Sequence, residues 1–124
     1  MNEENIISVG NSYKSLYYIN PRFTNLPKEV LNKIQIFVVT LSEKTKGIVK
    51  LSYTDDGSIA LEVQGLEEDF GYDDINAQIE VGRAKEENKE LIQGLISYYK
   101  IFVDTSAKEL LKNMSVDDIE KIMR

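Results

Sequence analysis

The sequence predicts an α+β fold: a small antiparallel sheet built on a central β-hairpin (47–54/58–64), packed by two amphipathic helices, with a short helical C-terminal tail. Three observations carry this. Apolar residues alternate with polar ones on both sides of Asp55-Asp56-Gly57. They recur at three- and four-residue steps over 26–44. The same helical spacing returns from Leu91 to Val103. At 124 residues, with 42% hydrophobic and 29% charged residues, the chain is long enough for one real core, and residues 1–124 read as a single domain.

From the start of the chain, residues 1–23 are polar with apolar points at Ile6, Ile7 and Val9. An aromatic run follows, Tyr13, Leu16, Tyr17, Tyr18, Ile19, before the turn signal Asn20-Pro21. Ser12 to Ile19 fits a strand or a short helix equally well. Thr24 or Asn25 can cap the first long helix, with Pro27 in its first turn. Leu26, Val30, Leu31, Ile34, Phe37, Val38 and Leu41 form its apolar stripe, and Ile36 and Val39 widen it. The C-terminal half is therefore expected to be buried nearly all round, with Gly47 as the stop. The β-branched run Ile34 to Leu41 also suits a buried strand, but the spacing favours helix.

In the hairpin, Ile48, Val49, Leu51 and Tyr53 face Ile59, Leu61 and Val63, and Gly57 supplies the positive φ of the turn. Gly65 to Asp74 is an acidic loop. Ile75, Ala77, Ile79 and Val81 alternate with Asn76, Gln78 and Glu80, which predicts a third strand; the rival is a helix capped by Asp73. A helix over 84–103 follows, carried by Leu91, Ile92, Leu95, Ile96, Tyr99, Phe102 and Val103. Ser106-x-x-Glu109 and Ser115-x-x-Asp118 read as capping boxes of two short helices in the 105–124 tail.

The chain has no histidine and no cysteine. Serine-histidine, cysteine-histidine and zinc-hydroxide chemistries are thereby excluded. Carboxylate, lysine, tyrosine and hydroxyl chemistry remain, with hard-cation binding through oxygen. The net charge of −6 is unevenly placed. Nine of the 21 carboxylates lie between Leu51 and Gly82 (Asp55, Asp56, Glu62, Glu67, Glu68, Asp69, Asp73, Asp74, Glu80), with no lysine or arginine among them. Such a field repels phosphate backbones and anionic lipid heads, and no basic cluster offsets it, so neither a nucleic-acid nor a membrane partner is expected. No apolar stretch approaches a membrane span, and the acidic start lacks the order of a signal peptide. A cytoplasmic setting is expected.

Short motifs carry little. Asp69-Phe70-Gly71 copies a kinase tripeptide without the glycine-rich loop or the catalytic histidine. Ser97-Tyr98-Tyr99-Lys100 matches Ser-x-x-Lys but lacks its partner motifs, and Gly10 to Ser15 falls short of a phosphate loop. The carboxylates Asp69, Asp73 and Asp74, with Glu67 and Glu68, are the candidate cation ligands, although their spacing departs from an EF-hand. An acid–base carboxylate pair would need a sugar-sized cleft, which so short a chain hardly provides. Tyr17, Tyr18, Tyr98, Tyr99 and Phe102 are the candidate interaction residues, since tyrosine joins apolar area to a polar tip.

One resemblance bears on origin. At Tyr17-Tyr18-Ile19-Asn20-Pro21, Leu26-Pro27, Gly47-Ile48, Asp55-Asp56-Gly57, Asp69-Phe70-Gly71-Tyr72-Asp73-Asp74-Ile75 and Leu95 to Phe102, the chain resembles a family of uncharacterised clostridial proteins, a domain of unknown function. The likeness spans about residues 5–103 and implies a bacterial cytoplasmic protein, helical after the acidic loop. It supplies no activity, cofactor or catalytic residue.

The expected function is that of a non-catalytic interaction protein, adaptor- or chaperone-like, without cofactor, whose partner is a protein with a basic surface or a second copy of itself in a homodimer. A small-ligand or divalent-cation sensor using the 67–74 loop is the alternative, and a carboxylate-dependent hydrolase a remote one.

Overall fold

A computed structural model describes residues 5–103, with side chains through Ile101. Two antiparallel hairpins make the sheet: β1 (Ile6–Asn11) with β2 (Leu16–Ile19), and β3 (Ile48–Tyr53) with β4 (Ile59–Gln64). β1 and β3 also pair antiparallel, so the strand order is β2-β1-β3-β4. Helix α1 (Lys28–Thr45) joins the hairpins, and α2 (Asp74–Glu87) and α3 (Lys89–Tyr98) follow β4. A π-helical turn, Tyr99–Val103, ends the described chain. The fold is α+β, as the residue pattern predicts. The expected tail helices at 105–124 lie outside the described residues.

Register places two kinds of row across the sheet. Tyr17, Gly10, Val49 and Val63 share one row, and Ile19, Ser8, Leu51 and Leu61 the next. Both face the helices: a Cβ on Gly10 would lie 2.8 Å from Val38 Cγ1 of α1. The alternate rows, such as Tyr18, Val9, Lys50 and Glu62, point the other way, where Lys50 and Glu62 form an ion pair of 2.9 Å. The core lies between the inner face and the helices. It gathers Ile34, Phe37, Val38 and Leu41 of α1, Val81 of α2, Leu95 of α3 and Phe23 of the preceding 3-10 turn.

The hairpin β3–β4 forms as read. Gly57 adopts φ 84° and its amide donates to the Thr54 carbonyl at 3.0 Å. The open choice at Ser12 to Ile19 resolves to a turn and then strand β2. Asn11 Oδ1 accepts the Tyr13 and Lys14 amides, bending the chain back on itself.

The largest correction is at 75–81, which is the first half of α2 and not a strand. Asp73 caps this helix, its carboxylate accepting the Asn76 amide at 3.0 Å. Residues 75, 77, 79 and 81 alternate, but they are also two i,i+4 pairs. Ala77 and Val81 face the core, while Ile75 and Ile79 face solvent. The expected helix over 84–103 is likewise two helices, broken at Asn88, which leaves helical ψ while its side chain donates to the Ala84 carbonyl.

Smaller corrections concern α1. Neither Thr24 nor Asn25 caps it; Thr24 Oγ1 instead donates to the Pro21 carbonyl and closes the 3-10 turn. The stop is Lys46, in the left-handed region at φ 56°, and not Gly47. Glycine is needed at 47 for another reason: a Cβ there would sit 2.8 Å from the Gln64 carbonyl oxygen. The half of α1 expected to be buried all round keeps an open side, with Ile36, Thr40, Glu43 and Lys44 exposed.

Candidate functional site

The acidic loop is held from below by tyrosines. Gly65 follows β4, and the Tyr72 ring lies so close that a Cβ on Gly65 would fall 2.5 Å from Tyr72 Cγ. Tyr13, in the β1–β2 turn, reaches across. Its hydroxyl donates to Asp69 Oδ2 at 2.6 Å and accepts the Leu66 amide at 3.2 Å. Asp69 Oδ1 accepts the Gly71 amide at 3.1 Å. Two backbone bonds tighten the loop further, Asp69 N–H to the Leu66 carbonyl and Tyr72 N–H to that of Asp69. The bond to Asp69 stabilises the neutral phenol and raises the Tyr13 pKa, and burial raises that of Tyr72.

The three candidate cation ligands therefore have distinct surroundings. Asp69 has both oxygens engaged, one by Tyr13 of the β1–β2 turn and one by the Gly71 amide, Asp73 Oδ1 caps α2, and Asp74 is exposed in the first helical turn. Among the described residues, no group of three or more carboxylates converges on a metal-sized point. Nor are the nine carboxylates of 51–82 drawn into one cleft, Glu80 and Glu62 lining separate ones. Seven are exposed, and Asp69 and Glu80 are half-buried. Glu62 pairs with Lys50 and Glu80 with Arg83. Asp56 belongs to the hairpin turn, where the Thr54 hydroxyl and the Ser58 amide hold its carboxyl below the usual range.

The candidate interaction tyrosines separate in the same way. Tyr99 is a structural ring: its centroid lies 4.7 Å from that of Tyr53, and its edge covers Gly57. Tyr98 lines a cleft of about 370 Å³ between the start of α1 and α3, together with Leu26, Val30, Leu91 and Leu95. Tyr17 packs at the core edge on the inner face, and Tyr18 is exposed on the outer face of β2. The side chain of Phe102 lies outside the described residues.

The feature missed in the sequence is apolar. Phe70 stands in solvent at the crest of the acidic loop, and Ile75 and Ile79 form an exposed strip along the start of α2. The sequence signal is the second i,i+4 pair of an amphipathic helix, which in this spacing coincides with the alternation of a strand.

Residues 4–116 match the model of a family of unknown function, DUF6145. The chain belongs to DUF6145. No curated protein and no solved structure matches it. For this DUF6145 chain the site must therefore be read from its own residues. They offer exposed carboxylates, a pinned loop and apolar side chains in water. Among the described residues no helix is long and apolar enough to cross a membrane.

Proposed function

We propose that the protein is a non-catalytic interaction module, adaptor- or chaperone-like, whose acidic 51–82 region selects a partner with a basic surface. The observation that carries this reading is the solvent exposure of seven of the nine carboxylates in that region. Catalytic carboxylates are typically set in clefts where burial tunes them, whereas a displayed field steers and selects partners. A bacterial cytoplasmic setting is part of the proposal, supported by the clostridial resemblance and the cysteine-free chain.

The test uses Glu67→Gln, Glu68→Gln and Asp74→Asn together. All three side chains are exposed, and the substitutions leave the Asp69 and Asp73 hydrogen bonds intact. A partner captured from the host should be lost with this variant and should dissociate above ~0.3 M salt, where charges beyond a few ångströms are screened. Capture that is indifferent to both salt and the substitutions would overturn the reading.

Self-association is a second reading, favoured by β2. This edge strand exposes Leu16 and Tyr18 together, and bare sheet edges pair readily. Light scattering at tens of micromolar should then return twice the chain mass, and Tyr18→Lys should return it to that of a monomer.

A further inference from the structure

Large apolar side chains stand in water in and beside the acidic loop: Phe70 is 95% exposed, Ile75 76% and Ile79 53%, with Leu66 less so. Ile75 and Ile79 lie one turn apart on α2, and Gly82, with open space around it, continues the strip as bare backbone. The strip lies off the core side of α2, which runs through Ala77, Val81 and Ala84. Phe70 does not hang from a loose loop. Its neighbours Asp69 and Gly71 are bonded to each other, and Asp69 is bonded to Tyr13. A phenylalanine is thus presented to solvent by a fixed backbone. Five carboxylates surround it in sequence, Glu67, Glu68, Asp69, Asp73 and Asp74, and no lysine or arginine lies within 51–82.

We infer that Phe70, Ile75 and Ile79 form the docking strip for an amphipathic helix of a partner protein, one that bears lysines or arginines beside its apolar face. This rests on the reading of the acidic region as a partner-selecting surface and adds its anchor. Charge sets partner choice and encounter rate, whereas a few buried apolar or aromatic side chains hold the complex. A second helix packs most readily along a ridge of i and i+4 side chains, the spacing that Ile75 and Ile79 present on α2. The carboxylates beside the strip fix the sign of the partner's rim. They also disfavour a second copy, whose matching strip carries the same negative flank.

The test measures fluorescence anisotropy of a labelled helical peptide built only of leucine and lysine, with the full-length chain at about 0.1 M salt. Binding should weaken roughly tenfold or more in Phe70→Ser/Ile79→Ser, with the unfolding midpoint unchanged. Ile36→Ser, an equally exposed isoleucine on α1, should bind as wild type does. If Phe70→Ser/Ile79→Ser binds normally while Glu67→Gln/Glu68→Gln/Asp74→Asn is weakened, the apolar dock falls and the charge reading stands. If Ile36→Ser loses as much, the strip is not specific and the inference falls. A peptide that fails to bind at any salt concentration overturns both.

Discussion

Replacing Tyr53 by alanine is expected to destabilise the protein by about 3–5 kcal/mol, a large part of the ~5–15 kcal/mol typical of a domain. The ring is 1% exposed and lies between Phe23, at 5.6 Å between centroids, and Tyr99, at 4.7 Å. Its hydroxyl donates to the Leu95 carbonyl at 2.6 Å. One side chain thus joins β3 to the 3-10 turn, to α3 and to the π-helical turn. Urea unfolding should show the loss. Tyr53→Phe isolates the hydroxyl and should cost about 1–2 kcal/mol, at the modest end because the Leu95 carbonyl also accepts the Tyr99 amide.

The same residue gives the protein an alkaline limit. Burial pushes the Tyr53 phenol well above its ordinary value, and the neighbouring Tyr98 and Tyr99 phenols push in the same direction. A pKa raised in the folded state means that the unfolded chain ionises first. The stability is therefore complete below the unfolded value of ~10 and is lost as pH rises above it. Tyr13 and Tyr72, also raised, add the same sign. The unfolding free energy should be flat from neutrality to about pH 9 with respect to these groups and fall beyond pH 10. In Tyr53→Phe the fall should be shallower. Parallel curves for the two proteins would show that Tyr53 is not the responsible group.

The second large effect is expected at Gly10, where α1 crosses the sheet. A Cβ there would lie 2.8 Å from Val38 Cγ1, 3.1 Å from the Val38 carbonyl oxygen and 3.4 Å from Ser42 Cβ. Gly10→Ala should therefore cost about 1–3 kcal/mol, and Gly10→Val more, because the helix backbone and not only a side chain must move. Combining Gly10→Ala with Val38→Ala removes the closest contact while leaving the carbonyl in place. The double variant should be more stable than the sum of the single losses predicts, and that non-additivity is the sign of direct contact. Simple additivity in chemical denaturation would mean that α1 has shifted to make room.

These two positions also explain what could be read from the residues. The hairpin β3–β4 was legible because its information is local: a glycine turn flanked by alternating apolar residues. β1 was not. Its paired inner-face positions are the small Ser8 and Gly10, the latter lying against α1, and the buried Ile7 sits at a bulge that breaks the period of two. A central strand therefore looks like a polar terminus. The acidity of 51–82 was visible as composition. The Tyr13–Asp69 bond that fixes the loop was not, since it joins residues 56 apart in sequence. The exposed strip on α2 was hidden by arithmetic, because two i,i+4 pairs interleaved by two positions reproduce the alternation of a strand.

The strand order has a consequence for how the chain folds during synthesis. β1 sits in the interior of the sheet, yet its second neighbour, β3, is made only after the 18-residue helix α1. Until then the first hairpin emerges from the ribosome with one side of β1 unpaired. Closure of the sheet must wait for a long segment to be brought back, a slow kind of contact to form. The nascent protein thus passes through an interval with an open strand that the finished one encloses, and the same edge would reopen first under any stress that frees β3.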